Sequence, residues 1–226
     1  MLGLAALATA AEAVRTYKAK DQFDSSPSQK ALKGRAFLVE LTPRESGFDR
    51  GCGDFPSWSY DASKGELRSE AFPNSVLGLS TIPTDAFPNI PGTQELNSVP
   101  FVCQRVSQSA AKASNAYGAT TIVRRSVEET LSFSTRNYFS ARTDPSWTAH
   151  VEGSDARELA RAIRVRITGV LGEWKPGQTI VCYTDKSEAT MDMPFERTTH
   201  DCMFKTESIR FEIIDNRTRS VLHAWE

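Results

Sequence analysis

Apolar and polar residues alternate with period two over most of this chain, and helical spacing is confined to short stretches. In RAFLVEL, Phe37, Val39 and Leu41 share one face and Ala36, Leu38 and Glu40 the other, which predicts a half-buried or central strand. Two alternating runs flank Asp61 to Gly65, the pattern of a hairpin with a short glycine-containing loop. From Ala119 to Phe133 the odd positions read Ala, Thr, Val, Arg, Val, Glu, Leu, Phe, the longest strand signal in the sequence. Arg125 and Glu129 interrupt its apolar face, so a bulge or break is expected beside them. Ile163, Val165 and Ile167 alternate with Arg164, Arg166 and Thr168, giving a strand with a buried apolar side and a wet basic side. QTIVCY, the run from Cys202 to Ile214, and SVLHAW after the turn at Asp215 to Thr218 complete the strands.

Helices are predicted in two places. Ser26-Pro27 reads as a helix start ended by Gly34, and Ser154 or Asp155 caps a helix through ARELARA. Prolines at 83, 88 and 91 break any long element between Pro73 and Pro100, and SQSAAKASNAYGA reads as a loop or short helix. The expected class is therefore α+β and strand-rich, a mostly antiparallel sheet built from hairpins with two or three short helices. The order helix, strand, cysteine-bearing loop occurs twice. The arrangement is read as a single domain over 14–226, with two related halves, 14–143 and 144–226, as the alternative.

The first residues, MLGLAALATAAEA, decide how the cysteines are read. A short apolar run closing on Ala8-Thr9-Ala10 or Ala11-Glu12-Ala13 has the form of a signal segment over 1–13, although no basic residue precedes it. The rival is an Ala-rich helix running on through Val14, which Ala and Leu favour. Export makes the compartment periplasmic or extracellular, where thiols pair; a cytoplasmic chain would keep them reduced. The four cysteines contain no C-x-x-C, and the expected pairs are Cys52 with Cys103 and Cys182 with Cys202, each stapling a stretch poor in regular structure.

Composition adds exclusions. A formal net charge of -1 over 226 residues gives no bulk attraction to nucleic acid, and no nucleic-acid partner is expected, although a local patch at Arg124-Arg125 stays open. No apolar run is long enough for a transmembrane span. The arginines at 157, 161, 164 and 166 lack interleaved aromatics and read as a solvated face.

Candidate chemistry is sparse. There is no G-x-S-x-G, H-E-x-x-H, phosphate-binding or dinucleotide-binding glycine motif, and only three histidines, His150, His200 and His223. Asp192, Glu196, His200, Asp201 and Cys202 form the densest cluster, and His200, Asp192 and Glu196 are the candidate catalytic residues. A nucleophilic Cys202 with His200 as base, or a zinc site of His200, Cys202 and Cys182, is disfavoured by spacing, so neither a metal site nor a cofactor is expected. Glu128-Glu129, or Asp192 with Glu196, are the carboxylate pairs a glycosidase would need. Trp58, Tyr60, Trp147 and Trp225 are candidate binding residues if they stand exposed together, and core or hairpin packing otherwise. Asn216-Arg217-Thr218 fits an N-glycosylation acceptor, but its turn position accounts for the asparagine. These residues point to an exported, non-catalytic binding or interaction module whose partner is a protein or an envelope polymer. The alternative is a hydrolase of such a polymer, with a site assembled from acidic residues and His200.

Overall fold

The computed structural model describes residues 1–17, 29–45, 56–70, 97–114, 117–118, 120–135, 146–190 and 193–225. Among these, two helices and eleven strands follow in the order α1 (Leu4–Arg15), β1 (Ala36–Leu41), β2 (Arg44–Glu45), β3 (Ser57–Asp61), β4 (Glu66–Glu70), β5 (Asn97–Ser114), β6 (Thr120–Thr135), β7 (Ser146–His150), α2 (Gly153–Ala162), β8 (Ile163–Leu171), β9 (Ile180–Ser187), β10 (Phe195–Asp215) and β11 (Ser220–Trp225). The fold is strand-rich α+β. A seven-stranded sheet runs β1-β8-β10-β6-β5, with β9 and β11 also on β10, and a four-stranded sheet runs β2-β3-β4-β7.

The expectation of a mostly antiparallel sheet needs correcting at its centre. β6 and β10 pair in parallel over Arg124–Ser134 and Phe195–Lys205, and β2 makes a two-residue parallel contact with β3. Parallel neighbours need a long crossover, and here the chain between β6 and β10 carries β7, α2, β8 and β9. Strands from 14–143 and from 144–226 share both sheets: β1 pairs β8, β6 pairs β10 and β4 pairs β7.

The alternation in the sequence accounts for most of the burial. Phe37 and Val39 of β1, Ile163, Val165 and Ile167 of β8, and Ile209, Phe211 and Ile213 of β10 all enter one core cluster. Phe133 stacks between Phe37 and Phe101 with ring centroids 4.2 Å apart on either side, and Phe204 lies tilted 6.0 Å from Phe133. The basic side of β8 is not simply wet. Arg166 is largely buried between Glu40 and Glu212, at 3.0 and 3.2 Å, because β1 and β10 flank it and each brings a carboxylate.

β10 spans 21 residues and changes partners part-way, from β6 and β9 to β8 and β11. A register shift between Thr206 and Ser208 marks the change. There the backbone of β10 passes so close to β8 that a Cβ on Gly169 would lie 2.2 Å from the Ser208 carbonyl oxygen, so the position excludes any side chain.

Three other expectations change. SQSAAKASNAYGA contributes not a loop or helix but the outer part of β5, paired with β6 as far as Ser114 opposite Thr120. Small polar residues suit a strand whose side chains reach no core. The anticipated break beside Arg125 and Glu129 falls on β5 instead, between Arg105 and Ser107, leaving β6 regular against β10. The predicted start at Ser26-Pro27 lies outside the described residues, and Gln29 to Gly34 forms a turn rather than a helix. That turn is anchored by the buried Gln29, whose Oε1 accepts hydrogen bonds from the Thr179 and Ile180 amides at 2.7 and 2.6 Å.

The segment read as a leader folds as α1. Leu7 and Ala11 are buried in the same core cluster, and Leu2 bridges to Phe37 beside β1. Cleavage after Ala10 or Ala13 would remove Leu7 from that core. No described helix is long and apolar enough to cross a membrane.

Candidate functional site

The four strands β5, β6, β10 and β9 extend past the core as a projecting sheet. The registers set β6 residues 124–131 beside the start of β10, whose other edge takes the end of β9, and set β6 also beside the outer part of β5. Every residue of β5 from Gln104 to Ser114 is exposed, as are Thr184 to Ser187 of β9. Because side chains alternate, this sheet has two faces with different chemistry.

One face carries Gln104, Glu129, His200 and Thr184 as a row across all four strands. Helix α1 lies beside that row, and between them opens a cleft of ≈ 540 Å³. Ala8, Ala11, Val102 and Leu131 form its apolar walls, with Cys202 at its base. Cys182 and Cys202 face each other in register and are joined, S–S 2.07 Å, closing the strand pair at the floor of the cleft. Cys182 Sγ lies 4.0 Å from the Ala11 carbonyl, so the crosslink is also the seat of the helix. The expected partner of Cys103, Cys52, is outside the described residues.

The polar groups at the mouth of the cleft are engaged with one another. Arg15, in the last turn of α1, hydrogen-bonds to both Glu12 and Glu129. Burial would lower the Arg15 pKa, but the hydrogen bond it donates to Glu12 and the Glu129 charge outweigh it and raise it. Gln104 Nε2 donates to the second Glu129 oxygen at 3.1 Å. Thr184 Oγ1 and His200 Nδ1 are 2.9 Å apart, which leaves Nε2 as the other polar atom of the ring.

The opposite face holds a second polar cluster. Glu128, nearly inaccessible, is gripped by Arg197 at 2.7 Å and Arg105 at 3.6 Å. Next to it Asp201 is hydrogen-bonded to Tyr183 and Thr130, and burial raises its pKa against those bonds and the Arg197 charge. Burial, followed by the Asp201 charge, pushes the Tyr183 phenol well above its ordinary range. Glu128 and Glu129 thus fall on opposite faces, which separates one of the carboxylate pairs suggested by the sequence.

Of the candidate catalytic residues, His200 lines the cleft. Glu196 lies on the same face but four residues away along β10, ion-paired with Arg125 at 2.7 Å, and Asp192 is outside the described residues. His150 sits in β7 and His223 in β11, both away from the cleft. Trp58, Tyr60 and Trp147 share one face of the four-stranded sheet, half-buried against the core cluster, and Trp225 ends β11 opposite Phe211. Arg15, Gln104 and Glu129 carried no motif in the sequence. For Glu129 the signals were its place with Arg125 on a largely apolar strand face and in the Glu128-Glu129 pair; Arg15 and Gln104 had none. Among the described residues no group of three or more His, Cys, Asp or Glu side chains is placed to hold a metal ion. In comparison with known proteins, no family model, no curated protein and no solved structure matches this chain.

Proposed function

We propose that this chain is a non-catalytic binding module of a periplasmic or extracellular compartment, and that the cleft between α1 and the projecting sheet receives a segment of its partner, an envelope polymer or a protein. The observation that carries this reading is the closed set of interactions at the cleft mouth. Arg15 and Gln104 hold Glu129, and Thr184 holds His200, so the ionisable groups are fixed in position instead of converging on a reacting atom. The volume of the cleft falls within the range that accommodates a small ligand or the end of a polymer unit, and its apolar walls with a polar rim suit binding and orientation. The Cys182–Cys202 crosslink fits an oxidising compartment.

The competing reading is a hydrolase, favoured by His200 lying in register beside Glu129 within a concave site. Both are tested by titrating isotopically labelled protein with soluble peptidoglycan fragments, following amide shifts and analysing the fragments by mass spectrometry. Binding shifts at Thr9, Gln104, Leu131 and His200 with intact fragments are expected. Shifts that avoid these residues would defeat the reading, and fragment cleavage abolished by His200→Ala would establish the hydrolase.

A further inference from the structure

At the floor of the cleft, four residues lie in one row across the projecting sheet. Val102 of β5 is opposite Leu131 of β6, Leu131 is beside Cys202 of β10, and Cys202 is opposite Cys182 of β9. The disulfide therefore lies along that row, with Val102 and Leu131 on its Cys202 side. Val102, Leu131 and Cys202 all line the cleft, so the cleft opens onto the bridge from that side. Cys202 is only 2% exposed, and the cleft is the approach to its sulfur. In disulfide exchange a thiolate attacks one sulfur and the other departs on the far side. A thiolate over Leu131 stands in line with Cys202 first and Cys182 behind it.

The groups that exchange needs are in place around this line. His200 precedes Cys202 by two residues on β10, so both side chains are on the same face, and both line the cleft. With Nδ1–H donating to Thr184 Oγ1 at 2.9 Å, the ring presents Nε2 as a proton acceptor. Behind the bridge, Cys182 Sγ lies 4.0 Å from the Ala11 carbonyl, which is placed to accept from a Cys182 thiol. Eight backbone pairs between β9 and β10 keep the two cysteines opposite one another, so the bridge opens and closes in place.

We propose that the Cys182–Cys202 bridge is a thiol–disulfide exchange site, reached through the cleft by a low-molecular-weight thiol. The thiol gives its proton to His200 Nε2, and the thiolate attacks Cys202 Sγ. The Cys182–Cys202 bond breaks with its electron pair passing to Cys182, which takes up the proton. The products are a mixed disulfide on Cys202 and a Cys182 thiol; atoms and electrons balance with no outside oxidant. Attack of Cys182 on that mixed disulfide reverses the step and releases the thiol. The exchange is a stoichiometric covalent capture, compatible with a binding module, and a cleft of ≈ 540 Å³ has room for a molecule of tripeptide size. This use of the cleft rests on its receiving a ligand, but not on that ligand being an envelope polymer or a protein.

The test incubates the full oxidised chain with reduced glutathione, quenches at short times with N-ethylmaleimide and maps both labels by mass spectrometry. Glutathione on Cys202 and N-ethylmaleimide on Cys182 are expected, with Cys103 carrying neither. His200→Gln should slow the exchange about tenfold at neutral pH, where only a few per cent of a thiol is ionised. The deficit should vanish at about pH 9.5, where glutathione is already mostly thiolate. Thr9→Trp, at an exposed position on the cleft wall, should slow exchange severalfold by obstructing entry. Circular dichroism checks that both variants fold. No exchange in the folded chain, exchange only after urea unfolding, or glutathione on Cys182 or Cys103 would overturn the proposal. So would a His200→Gln deficit of equal size at both pH values, the mark of a merely structural role. Peptidoglycan fragments binding without any glutathione exchange would defeat the exchange site alone, and exchange without fragment binding would defeat the polymer reading alone.

Discussion

The two ends of β6 and β10 form a contrast within single strands. In the lower part, Phe133 and Phe204 are fully buried among Phe37 and Phe101, and α1 and the neighbouring strands cover the sheet. In the projecting part, the same strands keep their parallel pairing but carry Arg124 and Arg125 in succession, one on each face, both exposed. Backbone pairing therefore continues where few side chains are buried, Val123 and Glu128 being the buried ones in this part of β6. The boundary lies at Glu128 and Glu129. The first is buried under Arg105 and Arg197, the second held by Arg15 and Gln104. The buried Glu128 is offset by the charges of two arginines, and the half-buried Glu129 has guanidinium and amide donors.

Emptying the core on one side and trimming the surface on the other should affect stability very unequally. Phe133→Ala removes the ring stacked on both flanks and is expected to destabilise the chain by about 3–5 kcal/mol in urea unfolding. Val106→Ala, at the exposed bulge in β5, should change stability by no more than about 0.5 kcal/mol. Comparable losses would mean that the projecting sheet is packed after all.

A smaller effect is expected at the junction of the regions. The Cys182–Cys202 bridge joins β9 to β10 across a separation of 20 residues. Replacing both by alanine should cost about 2–4 kcal/mol, and amide exchange should accelerate in β9 and α1 before it does in β8. Uniform acceleration would show that the crosslink braces the whole fold and not this seam.

The smallest effects are pH-dependent and of opposite sign in the two regions. Burial would raise the Glu40 pKa, but hydrogen bonds from Arg219 and Arg166 hold it below the ordinary carboxylate range. Its contribution to stability is present above the unfolded pKa and is lost as pH falls through the depressed folded value. Asp201 behaves conversely: burial raises its folded pKa, so its contribution is present below the unfolded pKa and lost as pH rises through the folded one. Thermal melts should accordingly show Glu40→Gln destabilising at neutral pH, with the deficit shrinking in acid. Asp201→Asn should be stabilising at neutral pH, with the gain disappearing below about pH 4. Parallel pH responses of the two variants would contradict the assigned environments.

Much of the core was legible along the chain. The alternations in RAFLVEL, in Ile163 to Ile167 and in Ile209 to Ile213 named buried faces that the packing contains, because a strand's period of two is a local property. The hairpin at Asp61 to Gly65 was equally local; Asp61 accepts from the Ser63 amide at 3.0 Å and Gly65 takes a φ of +63°. The cleft was only partly legible. His200 stood out by its rarity, whereas Arg15, Gln104 and Glu129 are separated by long stretches of sequence and acquire meaning only when α1, β5 and β6 meet. SQSAAKAS lacked any apolar face, so the sequence could not reveal a strand held by backbone pairing alone.

By itself the sequence determined which segments alternate, where chain direction reverses, and that its cysteines and histidines are few. Those properties follow from steric preference and hydrophobic period within a handful of neighbouring residues. Only the tertiary structure decided that β6 and β10 run parallel and that α1 roofs a cleft over the Cys182–Cys202 bridge. The physical reason is that register and crossover are fixed by the free energy of long-range burial summed over the whole core, to which no single stretch of sequence contributes more than a part.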